Sequence, residues 1–478
     1  MSAALLQQLE AASLSQRIEL AVGSLHRAQG ALAPRPAAGD CAVRRGAPGF
    51  ALLPHAVALR IFAAVPADAR ARAGLVSRAW RDAIAEPTVW MRLDLSPRSG
   101  IAQPVTEALL LGAAARAHGQ LTMLCLEECD ADAVSVDVVL EVLAAHAGSL
   151  RELVYKCAGN VFDTVEVIED IVQAAPHLRT FESEAILSLE DATRVLRNEP
   201  PFEAVRLSLL ELEPPAEGAI IGEDALLAFA VDISAQASLQ WLRLDTLTLS
   251  PVVLDALSAA ALTCRLRRLI FNDCGLSPAS IPALSRLIRG GSLTSVQIHN
   301  NGARLLDTPA AAQLGNAFAS SRQLLEVHLC GVCLWDNADA AVVLVRSLTG
   351  HSSLRSLLLG DNDPPDASTA AAALGALVFA NSAALRSLDV EHSTLSDAGI
   401  GPLMTALRHN THLHELHCRN IGMSAKFARS RFLPAVRDNT SLRKLVASAW
   451  WENQEDGQAP PAVLEAEALV AARAADGE

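Results

Sequence analysis

The sequence predicts an α/β solenoid, with parallel strands along a concave side and helices along a convex side. A short apolar phrase recurs twelve times, and helical segments lie between its occurrences. The chain has 478 residues, of which 51% are hydrophobic but only 4% aromatic. This length exceeds one ordinary core. A core of leucine, valine and alanine with few rings suits small stacked units.

The repeated phrase is an apolar residue, two further residues, a second apolar residue, one residue and a third apolar residue. It begins at Leu121, Leu150, Leu178, Phe202, Leu239, Leu266, Leu293, Leu324, Leu354, Leu385, Leu413 and Leu442. The phrase is similar to the leucine-rich-repeat pattern L-x-x-L-x-L-x-x-N/C, and the period resembles ribonuclease-inhibitor-like repeats. The last slot of that pattern holds Cys129, Cys274, Asn301 and Asn362. Side chains there are expected to bond backbone groups where the chain leaves the strand.

Helix boundaries are also marked between the phrases. Ser250 and Ser277 each precede a proline, which predicts an N-cap followed by proline at the first helical position. Asn381, Asn410 and Asn439 lie where helices should end, and asparagine tolerates the left-handed cap conformation.

Residues 50–95 do not follow the repeat. They contain, in order, Leu53-Pro54, Ile61-Phe62, Leu75-Val76-Ser77, Arg78-Ala79-Trp80-Arg81, Pro87 and Trp90. This order resembles the F-box, a small all-helical module that docks on the Skp-type adaptor of cullin ubiquitin ligases. The resemblance implies adaptor contacts through Leu53, Pro54, Ile61, Phe62, Val76, Trp80 and Trp90. About 45 residues bury too little to be robust alone, so the segment needs a partner or serves as a helical cap of the array.

The predicted organisation has five parts. Residues 1–29 form an amphipathic helix, 30–49 a linker and 50–95 the F-box-like module. Residues 96–451 form the array of about twelve repeats, which Trp450 and Trp451 would cover at its open end. Residues 452–478 are acidic and alanine-rich and form a frayed helix or a tail.

The concave face is the predicted target-binding surface, because residues flanking the buried positions of each strand point outward. These residues are Trp241, Arg243, Asp245, Arg268, Asn272, Gln297, His299, Glu326, His328, Asp389, Glu391, Glu415, His417 and Arg419. Trp241 is the best single anchor, since tryptophan is enriched at interface hot spots.

No motif for catalysis or cofactor binding is found in the sequence. It has no phosphate-binding loop ending in Lys-Ser/Thr, no G-x-S-x-G and no H-E-x-x-H. Cys330 and Cys333 form a lone C-x-x-C pair, which is expected to be structural. His414 and His417 differ in strand parity and should face opposite sides, which argues against a metal site built with His412. The chain is therefore expected to be no enzyme and to hold no cofactor and no metal.

Composition limits the partners and the compartment. A net charge of −14 argues against nucleic-acid binding. The longest apolar run, from Ala370 to Ala380, is too short to span a membrane. Nine cysteines without framework spacing and a start without signal-peptide features suggest the cytoplasm or the nucleus. A monomer is expected.

Three functions fit these features. The first is the substrate-recognition subunit of a cullin-type ubiquitin ligase, which joins a Skp-type adaptor and the cullin core to an unknown target protein. The second is a non-enzymatic repeat scaffold whose front helices only cap the array. The third is a Ran-type GTPase-activating protein, which resembles the chain in repeat length alone and offers no catalytic arginine to map.

Overall fold

The computed structural model describes residues 55–101, 104–130, 133–158, 163–215, 221–300, 304–364, 366–448 and 459–475. These form two compact units. Unit one comprises the described residues up to 186 together with 198–207. Unit two comprises residues 187–197 and the described residues from 208 onward. The helix predicted over 1–29, the linker 30–49, Leu53, Pro54 and the Trp450-Trp451 cap lie outside the described residues.

Unit one combines a helical front segment with strand–helix repeats. Its helices are α1 (His55–Ala63), α2 (Ala67–Ala73), α3 (Arg78–Ala85), α4 (Glu107–Ala115), α5 (Val136–Ala145) and α6 (Val165–Ala174). Its strands are β1 (Arg92–Asp94), β2 (Met123–Asp130), β3 (Glu152–Ala158) and β4 (Thr180–Leu187). These strands are parallel and pair in chain order.

Unit two continues the alternation of strands and helices. Its longer helices are α7 (Leu189–Leu196), α8 (Glu223–Ser234), α9 (Pro251–Cys264), α10 (Ile281–Arg289), α11 (Thr308–Ser320), α12 (Ala338–Leu348), α13 (Ala367–Phe379) and α14 (Ser396–Leu407). Its last helices are α15 (Ala425–Phe427), α16 (Leu433–Asp438) and α17 (Pro461–Ala475). Its strands are the part of β5 (Val205–Leu212) from residue 208 onward, β6 (Trp241–Asp245), β7 (Arg268–Asn272), β8 (Ser295–His299), β9 (Glu326–Cys330), β10 (Ser356–Leu358), β11 (Ser387–Asp389), β12 (Glu415–His417) and β13 (Lys444–Val446).

The strands of unit two are parallel and also pair in chain order. Every repeated phrase coincides with a strand, which begins two residues after the first apolar residue, or three after Phe202. The middle apolar residues stack in register: Leu242 pairs with Leu269, and Leu269 with Val296. All three are buried. The α/β repeat architecture predicted from the phrase is confirmed.

The slot at the end of the phrase binds backbone groups of the preceding repeat, as predicted. The Cys274 Sγ donates to the Leu244 carbonyl at 3.1 Å. The Asn362 amide donates to the Leu329 carbonyl at 2.7 Å, and its oxygen accepts from the Val332 N–H at 3.0 Å.

In the repeat that begins at Leu293, the backbone of the preceding repeat is bonded by Asn300, one residue before the slot that the repeat pattern predicts. Asn301 lies outside the described residues, and its neighbour Asn300 is buried. The Asn300 amide donates to the Leu276 carbonyl at 2.8 Å and accepts from the Leu276 N–H at 3.2 Å.

The helix boundaries follow the sequence in part. Ser250 accepts from the Val253 N–H, and the helix begins at Pro251 as predicted. Asn381 has a left-handed φ of 51°. Asn439, by contrast, has φ −73°. Its buried amide donates to the Leu407 and Asn410 carbonyls of the previous repeat. Asn439 therefore links two repeats and does not adopt the left-handed conformation that Asn381 has.

The end of the chain differs from the expected tail. Helix α17 buries Val463, Ala466 and Val470. The Glu467 carboxylate accepts from the Ala447 N–H at 2.6 Å, and Arg473 donates to the Val436 carbonyl at 2.9 Å. The helix thus covers the end of the last repeat. Among the described residues, no helix combines the length and the apolarity that crossing a membrane requires.

Candidate functional site

The front segment of unit one is organised around a buried arginine. Arg70 is 4% exposed and donates to the carbonyls of Ala63, Val65 and Val89 at 2.6, 2.6 and 2.8 Å. Burial lowers the pKa of its guanidinium to about 10, and Asp94 opposes this effect. One charged side chain therefore joins the end of α1 to the turn before β1. Sequence reasoning missed Arg70, because it belongs to an Ala/Arg-rich stretch with no distinctive pattern.

Two of the residues expected to contact an adaptor lie in the core of this segment. Trp90 is fully buried, and its Nε1 donates to the Ile84 carbonyl at 2.7 Å. Phe62 is also buried and packs edge-on against Trp80, with ring centroids 5.3 Å apart. The prediction that Phe62 and Trp90 contact an adaptor directly is wrong, because both side chains have almost no exposed surface. They can act only by holding the segment together.

The apolar surface of the segment lies at the turn before α3. Leu75 is 79% exposed and Val76 66% exposed. The next residue, Ser77, is the N-cap of α3 and accepts from the Trp80 N–H at 3.2 Å. Ile61 and Trp80 are half-buried. Two adjacent large apolar side chains on a turn fixed by a helix cap form a surface that a partner could cover.

The strand side chains of unit two that point away from the helices form what is called here the open face. Most of the predicted target-binding residues lie there, half-buried, and His299 is exposed. Two differ from the prediction: Asp245 is 4% exposed and Glu391 is 5% exposed. Asp245 is the last residue of β6, and Glu391 follows the end of β11. At both positions the chain is leaving the strand, so the alternation of faces no longer holds.

At one part of the open face an aromatic ring lies beside charged groups. Trp241 and Arg268 are register partners on β6 and β7, and the guanidinium lies 4.6 Å from the ring centroid. Arg268 also pairs with Glu326 at 3.5 Å. This arrangement combines a cation–π contact with a residue type enriched at interface hot spots.

A second charged group lies on the neighbouring strands. Arg243 lies between the Asp245 carboxylate at 2.9 Å and the Glu211 carboxylate at 3.5 Å. Burial raises the pKa of Glu211, which Arg243 opposes. Arg243 is therefore held in place by carboxylates of the chain itself, and Trp241 is the better candidate for contact with a partner.

The remaining candidate groups occupy separate places. Cys330 and Cys333 are both half-buried, and burial raises the pKa of Cys330 to about 12. His414 is exposed and lies 3.2 Å from the Arg386 guanidinium. His417 lies on the open face beside Asp389 and Glu391. Sequence reasoning missed the proximity of His417 to those two carboxylates, because they precede it by more than 25 residues in the sequence.

Comparison with known protein families supports the F-box resemblance of the front segment. Residues 50–96 match the model of the F-box-like family. No curated protein matches the chain.

Among solved structures, the chain is similar to the TLR13 molecule of a TLR13–ssRNA13 complex, with 13% identity and a TM-score of 0.35. That alignment covers 73% of this chain and 49% of the other, so the chain spans about half of that protein's length. It is also similar to the leucine-rich repeat-containing protein LegL7 from Legionella pneumophila, with 13% identity and a TM-score of 0.31. This second alignment covers 75% of this chain and 91% of LegL7.

The strand–helix repeats and the family match together define the class of protein. The chain combines a segment that matches the F-box-like family with a parallel array of strand–helix repeats, the architecture that the leucine-rich-repeat phrase predicts.

Proposed function

We propose that this chain is the substrate-recognition subunit of a cullin-type ubiquitin ligase. Its F-box-like segment would dock on a Skp-type adaptor, and the open face of the repeats would bind the target protein. The match of residues 50–96 to the F-box-like family carries this proposal.

The surface of the segment supports the docking role. Leu75 and Val76 are exposed although the core around Trp90 and Arg70 is complete. Burying both side chains against a partner would contribute roughly 1.5–3 kcal/mol each, if they become fully covered. A segment that only capped the repeats would have no need of these two exposed side chains.

The open face supports target binding. Trp241, with Arg268 over its ring, provides a large and rigid contact. Glu326 and Arg243 supply charges of both signs nearby. A protein surface with complementary charges is the expected partner.

The proposed role needs no catalytic group in this chain. Binding the target beside a charged ubiquitin carrier raises its effective concentration, and other subunits perform the transfer. In this role the chain would be a monomer without a cofactor. It would act in the cytoplasm or the nucleus, where cullin ligases work.

The test is a pull-down of the full chain with a purified Skp-type adaptor. Wild type is compared with a Leu75→Ser, Val76→Ser double variant. The matched control is Val231→Ser, since Val231 is 68% exposed on a helix of unit two. Circular dichroism checks that each variant is folded.

The proposal expects wild type and the Val231 variant to bind, and the double variant to lose binding at least tenfold. Absence of binding by folded wild type would overturn it. The alternative, a repeat scaffold with capping front helices, would then stand.

A further inference from the structure

A histidine and two carboxylates converge on the open face near the end of unit two. Asp389 and His417 are register partners on the adjacent strands β11 and β12. The His417 Nδ1 lies 3.6 Å from the Glu391 Oε1 and 4.0 Å from the Asp389 Oδ2. One ligand atom from each residue lies within 4.8 Å of the others.

The Glu391 carboxylate is buried in this cluster with one oxygen unsatisfied. Glu391 is 5% exposed, and its Oε1 has no hydrogen-bond partner among the described residues. Its other oxygen, Oε2, pairs with the Arg419 guanidinium. A buried carboxylate oxygen without a donor costs free energy unless something else binds it. That oxygen is directed at His417 Nδ1.

The surrounding groups resemble the outer shell of a metal centre. The Asp389 Oδ1 accepts from the Glu391 N–H at 2.8 Å, which leaves Oδ2 for a ligand. The Glu415 Oε2 lies 3.7 Å from the His417 Nε2, which is beyond hydrogen-bond distance, and this nitrogen has no hydrogen-bond partner among the described residues. In metal sites the second ring nitrogen of a ligating histidine usually donates to such a carboxylate, and the ligating carboxylates are themselves held by hydrogen bonds.

The absence of a side chain at Gly360 allows the backbone beside the cluster to pack closely. A Cβ at Gly360 would lie 3.0 Å from the Glu391 carbonyl oxygen and 3.5 Å from the Asp389 Oδ1. A glycine here lets the turn that carries both carboxylates approach the neighbouring repeat closely.

Charge and geometry both suit a divalent cation. Asp389, Glu391 and Glu415 contribute three negative charges, and Arg419 and Lys444 contribute two positive ones. The charges of these five side chains sum to one negative charge. Three ligand atoms around Zn²⁺ at about 2.1 Å in a tetrahedral site lie about 3.4 Å apart. The separations from His417 Nδ1 to the two carboxylates are 3.6 and 4.0 Å, and all three ligand atoms lie within 4.8 Å of one another. Side-chain rotations would bring them to the distances of a bound ion.

We propose that Asp389, Glu391 and His417 form a binding site for a divalent transition-metal ion of the Zn²⁺ type. Three protein ligands leave a fourth coordination position, as in zinc sites that accept an exogenous ligand. The site is on the open face, so this position would be accessible to a partner side chain or to water. The inference does not depend on adaptor binding and goes beyond the proposed function.

The experiment uses the full chain after removal of metal by a chelator. Zn²⁺ binding is measured by competition with a chromophoric chelator, for wild type, Asp389→Asn, Glu391→Gln and His417→Asn. We expect a site of one equivalent that each substitution weakens roughly tenfold or more. The controls are His299→Gln, an exposed histidine of the same face, and Cys333→Ser, since a thiol is the other ligand that zinc prefers; both should bind as wild type does.

Two further measurements on the same samples keep the test independent of variant folding. Co²⁺ bound to wild type should give ligand-field absorption without the near-ultraviolet charge-transfer band of a thiolate ligand. Zn²⁺ should raise the melting temperature of wild type, because a ligand that binds only the folded state stabilises it. Absence of a one-equivalent site in wild type, unchanged binding in the three variants, or loss of binding in Cys333→Ser would each overturn the proposal.

Discussion

The Arg70 guanidinium lies 5.3 Å from the centroid of the Trp90 ring, and both side chains are buried in the F-box-like segment. Arg70→Ala would remove this contact and leave buried carbonyls without donors. We expect unit one to lose about 3 kcal/mol or more of its free energy of unfolding. Arg72→Ala, which removes an exposed i,i+4 pair with Asp68, should change it by less than about 0.5 kcal/mol. Hydrogen exchange of the segment measures both, and equal protection in the two variants would contradict the role of Arg70.

Asn362 links its own repeat to the preceding one. Its side chain donates to the Leu329 and Leu359 carbonyls and accepts from the Val332 and Leu334 N–H groups. Asn362→Ala should destabilise unit two by about 2–4 kcal/mol, since several buried backbone groups lose their partners. Asn316→Ala, at an exposed position in helix α11, should be neutral or slightly stabilising. Urea unfolding of both variants tests this, and the prediction fails if the two midpoints coincide.

Stability should depend on pH through Asp163. Burial raises the pKa of this carboxyl to about 7, while the Ser183 hydroxyl donates to it and opposes the rise. Between about pH 4 and 7 the folded state keeps this proton and the unfolded state does not, so the contribution of Asp163 to stability falls as pH rises. The full effect is roughly 4 kcal/mol.

Asp163→Asn should therefore be close to wild type at about pH 4 and more stable than wild type at about pH 8. Chemical unfolding of both proteins across this range measures the difference. A difference that does not grow with pH would show that Asp163 ionises normally in the folded protein.

The thiols should differ in their reaction with iodoacetamide. Burial raises the pKa of Cys274 to about 12 and also raises that of the fully buried Cys418. Cys333 is only half-buried. Because the thiolate is the reacting form, Cys333 should be modified before Cys274 and Cys418, which should react only on unfolding. Peptide mapping by mass spectrometry follows each site, and early labelling of Cys418 would contradict its burial.

Two helical glycines should respond oppositely to alanine. A Cβ at Gly375 would lie 2.8 Å from the Pro402 Cβ, where helices α13 and α14 pack, whereas a Cβ at Gly112 meets nothing within 4 Å. Gly375→Ala should cost about 1–3 kcal/mol. Gly112→Ala should gain about 0.5–1 kcal/mol, since alanine favours the helix. Thermal unfolding distinguishes the two, and shifts of the same sign would show that α13 and α14 can separate without strain.

The position of every strand after residue 120 could be predicted from the apolar phrase, because the phrase specifies which side chains enter the core. Capping by Ser250 was predictable for the same local reason. The burial of Asp245 and Glu391 was not, since it depends on how far each strand continues before the chain turns. Arg70 and the Asp389–His417 pair depend on contacts between segments distant in sequence, which periodicity does not reveal. The packing of helix α17 on the last repeat was missed because an alanine-rich composition does not distinguish a packed helix from an unattached one.

The pairing of strands β5 to β13 in chain order has a mechanical consequence. Each strand is hydrogen-bonded only to strands that neighbour it in the sequence, so a force on the two ends of unit two would detach repeats one at a time. Each detachment would release about 29 residues, or roughly 10 nm of extended chain. Stretching a single molecule should therefore give a series of small, evenly spaced steps instead of one large rupture.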